Sequence, residues 1–204
     1  KSKFQSYATA FGIFSRIKLP DQRLKKRLIH CTSLLLRRPC SAFSRAFSSW
    51  SEIKAWYRFT SNDRVKPEKI MDYLGKTTAE QNASEERVFV ISDTTEVSLP
   101  KTQIRKCIGY GTGSKESRSF FVHTSFAVDK SGVPLGLIHQ KSWNRDPSQY
   151  GKKALRKQLP IEKKESFKWI ESVQGTLKAF QSVPSKPQII MIGDRESDVF
   201  EYFT

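Results

Sequence analysis

Acidic side chains are scarce in this 204-residue chain: 20 Asp and Glu stand against 36 Lys and Arg, leaving a net charge of +16. Such an excess excludes a preference for cationic partners and points to a polyanion, first of all nucleic acid, where phosphate neutralisation and counterion release drive binding. Cysteine is sparse too. Cys31, Cys40 and Cys107 are odd in number and show no C-x-x-C spacing, so neither a disulfide framework nor a zinc site is expected and a reducing cytoplasm fits best. No apolar run approaches the roughly 20 residues that span a bilayer, and no secretory leader is present, so no membrane partner is expected. The three histidines, His30, His123 and His139, are far apart and read as structural or nucleic-acid contacts, not a ligand cluster. The chain opens at Lys1 without methionine and stops at Thr204, and it reads as a fragment at either end.

Positive charge is concentrated at the front. Residues 1–76 hold 17 basic and 5 acidic residues, against 19 and 15 in the remainder. Within that part, DQRLKKRLIHCTSLLLRR from Asp21 sets Leu24, Leu28 and Leu35 on one side, with Arg23, Lys25, Lys26, Arg27, Arg37 and Arg38 around it. That spacing predicts an amphipathic helix with a basic outer face, capped by Asp21 and ended by Pro39. SWSEIKAWYRF, from Ser49 to Phe59, predicts a second helix whose Trp50, Ile53, Trp56 and Tyr57 form a core stripe. Lys54 and Arg58 then share another face and suit phosphate contacts positioned by Tyr57. A short third helix is expected from Pro67 to Leu74, with polar residues beyond it. The expected domains are a helical DNA-binding domain at 1–76, a linker at 77–86 and a catalytic domain at 87–204.

The second part is arranged around VFVISDTTEVSLP, Val88 to Pro100. Its β-branched and aromatic run predicts a strand covered on both faces, and Asp93 ends that run where an unpaired carboxylate is costly. The pattern recurs in QIIMIGD, Gln188 to Asp194. Side by side and parallel, the two strands set Asp93 and Asp194 across a gap suited to Mg²⁺ or Mn²⁺, cations that bind through carboxylates and activate phosphodiester chemistry. GYGTGS at Gly109–Ser114 lacks a following Gly-Lys-Ser/Thr and reads as a turn. Phe120–Val128 and Pro134–His139, joined by Asp129-Lys-Ser-Gly132, predict a hairpin. Phe167, Ile170, Val173, Leu177 and Phe180 give a long helix over Ile161–Ser182 one apolar side, which crosses over to the last strand in a three-layer pattern.

Taken together, these segments resemble the bacterial cut-and-paste DDE transposases of the IS-four group, Tn-five-like branch. RLKKRLIHCTSLLLRRP and SSWSEIKAWYRFTSNDRVKPEKI, with Trp50, Lys54, Tyr57-Arg58-Phe59 and Arg64-Val65, are similar to that family's N-terminal DNA-binding region. VFVISDTTEV, HTSFAV with VPLGLIHQKSW, PIEKKESFKWIESV and IIMIGDRESDVFEYF resemble its first catalytic strand, hairpin, crossover helix and second catalytic strand. The resemblance implies an α/β protein in which a small all-helical DNA-binding domain precedes an incomplete ribonuclease H-like mixed sheet with helices. It implies that Asp93 and Asp194 are catalytic and hold Mg²⁺ or Mn²⁺. It further implies that double-stranded DNA of transposon terminal inverted repeats is bound through Arg23, Lys26, Arg27, Arg37, Arg38, Lys54, Tyr57, Arg58 and Arg64, in a homodimeric complex in the bacterial cytoplasm. Ile53 and Trp56 stand where the family has small residues. The family's third acid lies downstream of its second aspartate, so this chain is expected to lack a complete active site, with Asp198 a helix-start or salt-bridge residue.

Two other functions remain open on these residues. A DNA-binding regulator or inhibitor derived from a truncated transposase would bind the same DNA and cut nothing. A haloacid dehalogenase-like phosphohydrolase would use Asp93 as nucleophile and the Gly-Asp-x-x-x-Asp of 193–198 for magnesium, but Thr95 stands where that chemistry needs a second aspartate.

Overall fold

The computed structural model describes residues 2–39, 43–99, 108–113, 117–152, 158–199 and 202. The expectations for Cys40 and Cys107 lie outside the described residues. The chain divides into two compact units, Lys1–Tyr73 and Leu74–Thr204.

The first unit is built from helices. α1 (Lys3–Phe14) begins with a reciprocal cap: Ser2 Oγ accepts from Gln5 N at 3.1 Å and Gln5 Oε1 accepts from Ser2 N at 3.2 Å. Sequence periodicity did not find this helix, because its aromatics are split: Phe14 is buried, whereas Phe4, Tyr7 and Phe11 are exposed. α2 (Gln22–Arg37) starts at Asp21, whose Oδ1 accepts from Arg23 N at 2.7 Å. It buries Leu28, Ile29, Cys31 and Leu34. α3 (Phe43–Ala46) leads to α4 (Trp50–Thr60), capped by Ser49. Ala46 and Phe47 join Cys31 and Leu34 in a small core, with Ile53 and Trp56 against it.

The expected core stripe of α4 is corrected here. Trp50 is 64% and Tyr57 54% exposed, while Phe59 is 4% exposed. At 100° per residue, Ile53, Trp56 and Phe59 form the inward stripe, and Trp50, Lys54, Tyr57 and Arg58 group on a surface roughly a third of a turn or more away. α5 (Pro67–Gln81) also differs from expectation, since it continues past Leu74 through the first half of the segment read as polar linker. Gly75, Thr77, Thr78 and Ala79 are buried, and the absence of a side chain at Gly75 is what permits this: a Cβ there would lie 2.1 Å from Ile138 O. A polar composition hid a helix that needs small residues, not large ones, to pack.

The second unit holds a four-stranded sheet of β1 (Arg87–Ser98), β2 (Ser119–Val128), β3 (Pro134–Trp143) and β4 (Gln188–Ile192), in the order β3-β2-β1-β4. β1–β2 and β2–β3 are antiparallel and β1–β4 is parallel. The hairpin turn is held by Asp129 Oδ1, which accepts from Ser131 N at 2.7 Å and Val133 N at 2.8 Å, with Gly132 at φ +79°. α6 (Phe167–Phe180) lies in the connection from β3 to β4. Val88, Val90, Ala127, Ile138, Ala79, Ala179 and Phe180 make one core between the sheet and the helices α5 and α6.

Two expectations for this unit change. β1 is covered on one face, not two: Val88 and Val90 are fully buried, whereas Ile91, Phe126 and Ile192 are 37–42% exposed on the other side. The helices among the described residues pack on the Val88 and Val90 face, so the pattern there is two-layered. The buried side of α6 is also not the apolar stripe read from its spacing. Leu177 is exposed, and Trp169, Ser172, Thr176 and Phe180 point inward. Ser172 Oγ donates to Trp169 O at 2.6 Å and Thr176 Oγ1 to Ser172 O at 2.7 Å, which satisfies these hydroxyls within the helix and makes them compatible with burial. Among the described residues no helix is long and apolar enough to cross a membrane.

The close approach at Gly75 makes a prediction. Gly75→Ala is expected to destabilise the chain by about 1–3 kcal/mol through overpacking, although alanine is the better helix former. Denaturant unfolding followed by circular dichroism measures it, and a stability equal to or above that of the unaltered chain contradicts the described contact of α5 with β3.

Candidate functional site

The pairing of β1 with β4 runs from Arg87 opposite Gln188 to Ile91 opposite Ile192 and stops there. β1 alone continues, held by β2 as far as Ser98 opposite Ser119. Asp93 and Asp194 each lie two residues beyond the last parallel pair, and both line one cleft of about 470 Å³. The structure therefore brings the two predicted carboxylates to the same place.

Each aspartate is fixed by local backbone. Asp93 Oδ1 accepts from Thr94 N at 2.6 Å. Asp194 caps a single 3₁₀ turn, Arg195–Ser197: its Oδ1 accepts from Glu196 N at 2.8 Å, and its carbonyl accepts from Ser197 Oγ at 2.7 Å. Asp198 closes that turn and makes no ion pair among the described residues, and residues 200, 201, 203 and 204, where a helix started by Asp198 would run, lie outside the described residues. In both aspartates the second carboxylate oxygen keeps no partner among the described residues. Two hard oxygen donors with free lone pairs at adjacent strand ends fit a divalent cation that completes its shell with water and substrate oxygens. No group of three or more His, Cys, Asp and Glu converges on such an ion among the described residues.

The floor and walls of the cleft were not singled out from the sequence. His123, on β2, is wholly buried, and its Nδ1 lies 2.9 Å from Thr94 Oγ1, next to Asp93. Burial pushes its pKa down to about 4, the charges of Lys168 and His139 add to that, and Asp93 and Asp194 oppose it. The ring is neutral at pH 7, with the Trp169 ring edge-on at 4.6 Å. Arg145 forms two bonds of 2.6 Å to Glu165 and lies 4.2 Å from the Phe121 ring centre. Lys168 donates to Glu196 Oε2 at 3.0 Å. Hydrogen bonds from the Thr112 and Ser119 side chains hold the Glu96 carboxyl below the usual range. All three glutamates of the cleft are thus already engaged. His123 could not be read from spacing alone, because its place beside Thr94 depends on the register of β2 against β1.

The predicted DNA contacts lie in the first unit. Arg23, Lys26, Arg38, Lys54, Tyr57, Arg58 and Arg64 are exposed, and Arg27 and Arg37 are half-buried. Some of them meet. Arg23 Nη2 lies 3.0 Å from Asp21 Oδ2 and Arg64 Nη2 donates to Pro20 O at 3.4 Å; the hydrogen bonds from the Arg23 side chain and backbone, and after them the Arg23 and Arg64 charges, hold the Asp21 carboxyl below its ordinary range. Arg38 instead donates to Arg45 O at 2.7 Å. On α4, Lys54 Nζ lies 5.7 Å from the Trp50 ring centre, so a cation and two aromatics share one exposed stripe with Arg58. His30 Nε2, 3.3 Å from Glu52 Oε1, links α2 to α4 and fixes the relative placement of their basic surfaces.

Residues 12–65 match the family model described as transposase DNA-binding. The match runs from within α1 to the segment after α4, and every basic residue predicted to touch DNA falls inside it. Asp93 and Asp194 fall outside it. No curated protein matches the chain.

The buried histidine predicts a pH dependence. An unfolded imidazole takes up its proton near pH 6.5, whereas folded His123 resists protonation down to about pH 4. Its contribution to stability is therefore full above about pH 6.5 and is lost as the pH falls towards 4, a drop of about 3 kcal/mol. Unfolding free energies measured across that window are expected to fall for the unaltered chain and to fall much less for His123→Asn.

Proposed function

We propose that the chain is transposase in origin, with the first unit binding transposon-end DNA and the second supplying two carboxylates of a ribonuclease H-like phosphodiester centre. The observation that carries this reading is the transposase DNA-binding match over residues 12–65, followed in the same chain by Asp93 and Asp194 at in-register ends of a parallel strand pair. The strand order β3-β2-β1-β4 with one parallel pair supports it. In this reading Asp93 and Asp194 hold Mg²⁺ or Mn²⁺, which supplies activation of a water or 3′-hydroxyl when bound. Thr94 and His123 hold β1 and β2 together next to Asp93, and the Asp194 turn presents its carboxylate after β4. The duplex is a terminal inverted repeat held by a homodimer in the cytoplasm, and α2, α4 and Arg64 supply the phosphate contacts.

A second reading, a DNA-binding regulator, is favoured by one observation: Glu96, Glu165 and Glu196 each already have a hydrogen-bond partner, and no three carboxylates converge at this cleft among the described residues. A haloacid dehalogenase-like enzyme has less support, since nothing in that chemistry uses a DNA-binding unit and Thr95 replaces its acid.

Gel shifts on labelled duplexes carrying candidate terminal repeats, run with a nicking assay in Mg²⁺ or Mn²⁺, separate these readings. Lys54→Ala and Arg58→Ala are each expected to weaken binding about fivefold and to lower the slope of log K against log salt by about 1. Unchanged affinity and slope in both variants removes α4 from the interface. Asp93→Asn and Asp194→Asn are expected to leave DNA affinity within about twofold while lowering Mn²⁺ affinity roughly tenfold, read by electron paramagnetic resonance of free Mn²⁺. Metal-dependent nicking abolished by Asp93→Asn supports the enzyme, and binding without nicking supports the regulator.

A further inference from the structure

We infer that Lys168 is the phosphate-binding group of the cleft, its ammonium donating a hydrogen bond to a non-bridging oxygen of the phosphodiester placed beside Asp93 and Asp194. The inference rests on the reading of this cleft as a phosphodiester site. Two carboxylates facing a phosphate repel it, so a nearby cation is required for binding. The described cleft contains two, and they differ in how firmly they are held.

Arg145 is committed. Both arms of its guanidinium bond Glu165 at 2.6 Å, and its plane lies over Phe121. Such a bidentate, stacked pair is expensive to dissolve. Lys168 is committed less. It sits in the first turn of α6 with a side chain only 9% exposed, its Nζ 5.9 Å from the Trp143 ring centre and 5.5 Å from that of Trp169. The rings hold the charge at the cleft wall and out of bulk water, which strengthens its field. That field already reaches the floor: after burial, Lys168 contributes most to lowering the His123 pKa.

One hydrogen bond, to Glu196, occupies one of the three protons of Lys168. Glu196 is 68% exposed, so water readily replaces the lysine as its partner, and an exposed ion pair of this kind contributes little. Glu196 also belongs to the turn capped by Asp194. The lysine therefore needs no backbone movement to exchange a carboxylate for a phosphate oxygen next to Asp194.

The test uses the full chain, the dinucleoside phosphodiester thymidylyl-(3′→5′)-thymidine as probe and Ca²⁺ as the ion, with affinity read by calorimetry and by the fluorescence of the tryptophans flanking Lys168. Lys168→Met is expected to weaken binding about tenfold, Lys168→Arg to restore it to within about threefold, and Lys130→Met, in the distant hairpin turn, to change nothing. Glu196→Gln removes the competing carboxylate and is expected to tighten binding about twofold. Undiminished binding by folded Lys168→Met overturns the inference and leaves the phosphodiester reading intact. Should Lys168→Met fail to fold, Glu196→Gln decides, and unchanged or weaker binding overturns the inference. No binding by the unaltered chain, or binding indifferent to both Asp93→Asn and Asp194→Asn, overturns the phosphodiester reading and the inference with it.

Discussion

Parallel hydrogen bonding between β1 and β4 ends at Ile91 and Ile192, and the candidate site of the second unit follows from where it ends. Up to that point the two strands satisfy one another's backbone groups. Past it, among the described residues, β1 pairs only with β2, and the chain after β4 turns away in a 3₁₀ turn whose first cap is Asp194 itself. A carboxylate in the middle of a paired, covered strand would be costly to bury; two residues beyond the last pair it reaches solvent and can meet its counterpart. The same termination opens the cleft wall where Thr94, Lys168 and Trp169 stand.

Close packing beneath the site depends on small and hydroxylated residues. Ser172 and Thr176 return their hydroxyls to α6, Gly75 brings α5 against β3, and Ser92 Oγ donates to Ser125 Oγ at 2.9 Å inside the sheet. The buried imidazole of His123 belongs to this layer. Its neutrality follows from burial and from the Lys168 charge, and it places an uncharged ring against Thr94, the neighbour of Asp93. In the first unit the charge is arranged in the opposite way: most cations sit outside, while Asp21 pairs with Arg23 and Arg64 donates to Pro20 O beside the start of α2.

Much of this was legible because the relevant signals are local. Asp21 and Pro39 bracket α2, the Asp129–Gly132 turn marks the hairpin, and the apolar runs of 88–91 and 188–192 mark two strands. What failed were inferences that equate apolar with buried. The exposed Trp50, Tyr57 and Leu177 and the buried Ser172, Thr176 and Thr78 invert that rule, the former because a helix face was left in solvent, the latter because local hydrogen bonds or close backbone approach made polar burial tolerable.

By itself the sequence determined the basic front, the two aspartates that end apolar runs, and the order of strand, hairpin, helix and strand, since each rests on composition or short-range periodicity. Tertiary structure alone decided that β1 outlasts its pairing with β4, that His123 meets Thr94 beside Asp93, that three glutamates are already engaged, and that Lys168 and Arg145 differ in commitment. Those depend on register and on contacts between residues 16 to 29 positions apart, such as Thr112 with Glu96 and Thr94 with His123, which no local pattern encodes.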